Sequence, residues 1–145
     1  MKREVQPMFQ PIWTGENRCM TVCVDSYESN VLKGRLYKAY REMECFDSLM
    51  QLLLCIQTVL EDQKMPQSYT AIRKFSDRVS VGEGVVVEQG IRKGNLATFE
   101  VQILFRQHSS WQGIVLWRER QSEQTFRSVL ELMLLMDSAL RSMAA

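Results

Sequence analysis

The sequence predicts an α+β fold: two ββα repeats form one mostly antiparallel sheet, with both helices on one face and a pseudo-two-fold between the halves. Three observations predict it. Residues 46–60, FDSLMQLLLCIQTVL, and residues 126–140, FRSVLELMLLMDSAL, lie 80 residues apart and match apolar for apolar. The segments ahead of them correspond at an offset of 79: Val22 and Val24 meet Val101 and Ile103, and Leu32-x-Gly34-x-Leu36 meets Trp111-x-Gly113-x-Val115. Each half also runs in the same order, a pattern of period two followed by one of period 3.6.

Residues 1–18 read as an irregular N-terminal arm. Pro7 and Pro11 break regular structure, and Met8, Phe9, Ile12 and Trp13 make the arm adhesive, either to the domain or to a partner. The first unit spans 19–76. CMTVCVDSY at 19–27 alternates, with Met20, Val22 and Val24 on one face. Glu28-Ser29-Asn30 supplies a turn. The return strand, 31–40, turns Leu32, Gly34 and Leu36 inward and Val31, Lys33, Arg35 and Tyr37 outward. A helix over 45–63 follows on Phe46, Leu49, Leu53, Ile56 and Leu60, with Pro66 beyond its end as a stop. SYTAIRKFS, 68–76, is a candidate extra strand.

Residues 77–96 carry four of the seven glycines (Gly82, Gly84, Gly90, Gly94) and read as a flexible linker, in which Val85-Val86-Val87 is a candidate short strand. The second unit spans 97–145. Phe99, Val101, Ile103 and Phe105 share a face, His108-Ser109-Ser110 turns the chain, and Trp111, Gly113, Val115 and Trp117 line the same face on the return. The last helix is expected over 125–143, capped by Ser122 or Thr125. Glycines in matched places predict that each helix crosses its own hairpin at Gly34 or Gly113; the alternative is a bulge there.

The totals bound the function. A chain of 145 residues, 46% hydrophobic and 24% charged, fits one domain with a real core. Eighteen basic and 17 acidic side chains give a net charge of +1, which argues against a DNA mimic and against a strongly basic nucleic-acid binder. No apolar run is long enough for a membrane span. MKREVQPMFQPIW lacks the apolar stretch of a signal peptide, so a cytoplasmic location is expected, with Cys19, Cys23, Cys45 and Cys55 reduced.

Catalytic chemistry finds little to stand on. His108 is the one histidine; it falls in a turn with nothing placed to orient it. Cys19 and Cys23 on a strand stand about 13 Å apart, too far to share a zinc or form a disulfide. Cys55 falls within the apolar helix pattern. Cys45 lies beside a helix start, which lowers a thiol pKa. The glycines fit neither a phosphate-binding loop nor a dinucleotide fingerprint. The expectation is therefore not an enzyme, with no cofactor and no metal.

The helices carry the functional clue. LLLCI at 52–56 and LMLLM at 132–136 cover more than the one stripe that a helix on a sheet must bury. Leu54, Leu134 and Leu135, with outward Leu104, Ile114 and Leu116 on the second hairpin, mark a surface for a protein partner or for a homodimer. The expected function is a non-enzymatic interaction module, a small accessory regulator or inhibitor that occupies a partner surface. The alternative is a single-stranded nucleic-acid binder using the outer sheet face, where Lys33, Arg35, Tyr37, Lys38, Arg118 and Arg120 interleave cations with an aromatic ring.

The stretch LATFEVQILFRQHSSWQGIVLWRERQSEQTFRSVLELMLLMDSAL, ahead of which stands CVDSYESNVLKGRLYKAY, resembles a recurrent segment of small accessory proteins of gut Firmicutes, of the Clostridia type. Its marks are "WxG" on a return strand and "FRS" opening a helix. The resemblance covers 19–145 loosely and 97–140 well. It implies a duplicated hairpin-helix unit and an accessory gene pool that includes mobile elements. It brings no established activity, so no functional residues are carried over.

Overall fold

The computed structural model describes residues 19–38, 42–63, 85–86 and 92–144. The arm at 1–18, the candidate strand at 68–76 and most of the 77–96 linker lie outside the described residues. The element order is β1 (Cys19–Glu28), β2 (Val31–Tyr37), β3 (Glu42–Phe46), α1 (Leu49–Gln63), β4 (Val85–Val86), β5 (Ala97–Phe105), β6 (Gln112–Trp117), β7 (Ser122–Phe126) and α2 (Val129–Ala144), with a short 3₁₀ turn at Arg118–Arg120. The fold is α+β. One antiparallel sheet runs in the order β4-β3-β2-β1-β5-β6-β7, so β1 and β5 form its centre.

Both hairpins turn through residues that tolerate positive φ: Ser29 and Asn30 in the first, His108 and Ser109 in the second. Paired positive φ values give the turn whose twist matches that of flanking strands. The inner face is apolar as the alternation requires. Met20, Val22 and Val24 from β1, Leu32 and Leu36 from β2, and Phe99, Val101 and Ile103 from β5 join one core with Leu52, Ile56, Leu132 and Leu140 of the helices.

Each half contains a strand that the sequence pattern did not announce. Residues 42–46 and 122–126 are β3 and β7, and the helices begin only at Leu49 and Val129. Cys45 is therefore an exposed strand residue, not a helix-start residue. Ser122 and Thr125 are strand residues too, and the caps are Ser48 and Ser128. The Ser48 hydroxyl accepts from the Gln51 backbone N–H at 3.2 Å, and Gln51 Oε1 accepts from the Asp47 N–H. The Ser128 hydroxyl accepts from the Glu131 N–H at 3.1 Å, and Glu131 Oε1 accepts from the Arg127 N–H. These are capping boxes, in which N-terminal donors find side-chain oxygens.

The matched glycines each stand beside a bulge, the alternative the sequence offered for them. Gly34 pairs with Val24 beside a bulge at Asp25, and Gly113 pairs with Ile103 beside a bulge at Leu104. A Cβ on Gly34 would run into the Cys23 carbonyl, and one on Gly113 into the Gln102 carbonyl. The bulge at Leu104 also corrects the face of Phe105. The extra residue turns it away from Ile103, and it is 49% exposed.

The halves interlock through their helices. Trp111 Nε1 donates to Gln57 of α1 at 3.3 Å, and Arg106 pairs with Glu61 of α1 at 3.1 Å. In return, the Tyr27 hydroxyl donates to Asp137 of α2 at 2.6 Å, and Arg141 donates to Asn30 at 3.2 Å. Each helix thus ties down the hairpin turn region of the other half. Among the described residues, no helix is long and apolar enough to cross a membrane.

Candidate interaction surfaces

The helices bury one stripe and leave another. Leu52 and Leu132 are fully buried, and Leu53 and Leu135 pack at the core margin. On the opposite side Met50 is 66% exposed, Leu130 67% and Leu134 57%. Met50 and Leu130 occupy matched positions, 80 residues apart. Leu54, the match of Leu134, is half-buried. Of the six residues marked by the sequence, Leu134 alone stands well out. Leu54, Leu104, Ile114 and Leu135 are half-buried, and Leu116 is 4% exposed and offers no free surface. Met50 and Leu130 were missed because runs of adjacent apolar residues do not say which member faces out.

The outer sheet face is not a solvated one at its centre. Cys23, Tyr37, Thr98, Glu100 and Leu116 are all buried there. Arg35 is buried with them. Its Nε and Nη2 donate to the two Asp25 oxygens at 3.0 and 2.9 Å, its Nη1 to the Tyr37 hydroxyl, and its guanidinium also to the carbonyls of Arg92 and Lys93. This fastens residues 92–96 across β1, with Leu96 N–H bonded to the Val24 carbonyl at 2.9 Å. Part of the expected linker is therefore structured. Burial alone would raise the Asp25 pKa, but the Arg35 guanidinium and the Asn95 N–H outweigh it and hold the carboxyl below its ordinary value.

The cations expected to face nucleic acid are largely committed. Besides Arg35, Lys38 pairs with the buried Glu44 at 2.6 Å, and Arg118 pairs with the buried Glu100 at 2.8 Å. Tyr37 is buried and offers no stacking face. Lys33 and Arg120 are exposed, and Arg120 stacks over the Trp117 ring at 5.1 Å. On the described outer face Arg35 and Arg118 are held in internal ion pairs, whereas the Lys38–Glu44 pair lies toward the helix side, because Glu44 stands opposite the core residue Leu36.

The two edges of the sheet differ. β3 is flanked by β4, which pairs Val86 with Glu42 and Val85 with Met43. Glu42 and Met43 are half-buried and Glu44 buried, closed under Lys38 and beside the buried Cys55. At the other end, β7 is the terminal strand among the described residues. Ser122, Glu123, Gln124 and Thr125 are all exposed. Between β7 and α2 opens a cleft of about 190 Å³. Phe99, Val115, Met136 and Ala139 form its depth, and Ser122, Gln124 and Ser138 its rim. Trp117 lines it as well, and its indole N–H is buried without a hydrogen-bond partner.

Among the described residues, no group of His, Cys, Asp and Glu is placed to hold a metal ion. His108 is exposed in its turn. Burial pushes the Cys23 thiol up to about 12, and burial with the nearby Glu44 pushes Cys55 up to about 11. Cys19 is raised by burial and by Glu100, whose carboxylate accepts from its thiol. These thiols are poor nucleophiles. The chain matches no protein-family model, no curated protein and no solved structure.

Proposed function

We propose that this chain is a non-enzymatic protein-interaction module, a small accessory regulator or inhibitor in the cytoplasm, working through the outward faces of α1 and α2. The observation that carries the reading is the exposure of Met50, Leu130 and Leu134 on helices whose other faces already fill the core. Exposed apolar side chains grouped on an ordered helix mark contact surfaces, and unbranched Met adapts to a partner's shape. The resemblance to gut-Firmicutes accessory proteins supports an accessory role linked to mobile elements.

The same reading takes the chain as a duplicated unit of three strands and a helix, related by a pseudo-two-fold between β1 and β5. Support comes from paired details: a glycine beside a bulge in each hairpin, Phe46 and Phe126 opposite those glycines, and a capping box before each helix.

Light scattering on a sizing column, with absorbance read at two wavelengths, is the first test, followed by the double variant Leu130→Lys, Leu134→Lys. Both positions are exposed, so folding stability should change by only about 0.5 kcal/mol. The expected result is a dimer or a complex with a protein partner that the double variant abolishes. A complex that persists in the double variant, or a monomer that binds no protein, contradicts the reading.

A further inference from the structure

The open edge of β7 is a docking site for an extended strand from a partner protein; we infer this from what the chain does at the opposite edge. The inference rests on the pairing of the two halves proposed above. At an offset of 80, Glu42, Met43, Glu44 and Cys55 correspond to Ser122, Glu123, Gln124 and Leu135. In the first half this corner is closed: β4 pairs with β3 at Glu42 and Met43, and Glu44 is buried in its ion pair with Lys38. In the second half the same corner is exposed from Ser122 to Thr125, and the cleft lies beside it.

A terminal strand presents unpaired backbone N–H and C=O groups, which a second strand satisfies by β-addition. The pairing seen at β3 gives the geometry. An incoming strand lies antiparallel to β7, opposite Ser122 and Glu123. Ser122 pairs with Trp117, which pairs in the adjacent position to Phe99, so it stands on the core side of the sheet where the cleft opens. The partner residue opposite Ser122 therefore enters the cleft, and the depth formed by Phe99, Val115, Met136 and Ala139 calls for a branched apolar side chain. The next residue points to the other face beside the exposed Glu123, where a basic side chain is complementary. The occupant is thus an extended segment alternating apolar and basic residues.

The probe is a blocked Val-Lys-Val-Lys-Val peptide added to the isotope-labelled full chain, read by NMR of backbone amides and indole groups. Saturable shifts confined to Ser122–Phe126 and the Trp117 indole are expected, with slower amide exchange on β7. Ala139→Phe, which fills the cleft, should weaken binding about tenfold or more. Should that variant not fold, Ser138→Trp at the exposed rim serves instead. Leu130→Lys with Leu134→Lys should leave peptide binding unchanged, which separates this site from the helix faces. No shift on β7, or shifts at Glu42–Phe46 through displacement of β4, would overturn the assignment. Protection of β7 that rises with the concentration of the chain alone would give the edge to a second copy and overturn it equally.

Discussion

The two halves, proposed above as copies of one unit, finish differently at their edges. β3 carries a cover, β4, and the corner beside it holds Glu44 and Cys55 out of water, with the half-buried Lys38 paired to Glu44. β7 carries none among the described residues, and the matched corner is an open cleft lined by Trp117, Gln124 and Leu135. The contrast teaches that an edge is managed either by covering it or by making it polar. SEQTF, with polar side chains at its first four positions, follows the second route. Such an edge resists chance association while leaving its backbone free for a specific one. The ion pair fits the covered side because a buried charge needs a fixed partner. The uncovered side has apolar depth and a polar rim, as binding clefts do.

The strongest way to break the parallel between the halves is to crowd their glycines. Gly34→Ala and Gly113→Ala should each cost about 3 kcal/mol or more in denaturant unfolding, because each Cβ meets a neighbouring strand's carbonyl rather than a flexible side chain. Similar losses are expected from both, and a mild effect at one position would show that the hairpins are not held alike. Leu52→Ala and Leu132→Ala empty matched, fully buried positions and should each cost about 2–5 kcal/mol.

A smaller effect tests what the first half has and the second lacks. Arg35→Met removes the guanidinium that fastens residues 92–96 and should cost about 2 kcal/mol at neutral pH. Asp25 has a lowered pKa in the folded chain. Its contribution is therefore complete above the ordinary aspartate value and disappears as the pH falls through the lower folded one. The stability gap between the two chains should narrow in that acid range, and a gap that stays constant would remove the Asp25 pairing as its cause.

Thiol labelling gives the gentlest probe, because all four cysteines lie in the first half. Cys45 is exposed and should react first, while burial keeps the Cys23 and Cys55 thiols protonated until that half opens. Rapid labelling of Cys23 in the folded chain would contradict the closed outer face.

Much of this contrast was hidden in the sequence for identifiable reasons. The long strands and both helices were legible because periods of 2 and 3.6 separate cleanly when the inner face is continuous. β3 and β7 were not. EMECF and SEQTF are short, SEQTF is polar at its first four positions, and each abuts a helix whose apolar pattern absorbs Phe46 and Phe126. The spacings Ser48-x-x-Gln51 and Ser128-x-x-Glu131 were a usable signal, since they place the helix starts after those phenylalanines. Arg35 looked like a solvated strand cation because its partner, Asp25, sits at a bulge that sequence alternation does not register. The cleft was illegible for a different reason. It depends on how α2 sits over β5, β6 and β7, and sequence pattern says which face is apolar but not where packing leaves a gap.

The most direct measurement is residue-resolved amide hydrogen exchange on the full chain at low concentration, comparing the two edge strands. The account predicts slow exchange at Glu42 and Met43, where β4 pairs, and markedly faster exchange at the matched Ser122 and Glu123. Equal protection of both edges would contradict it.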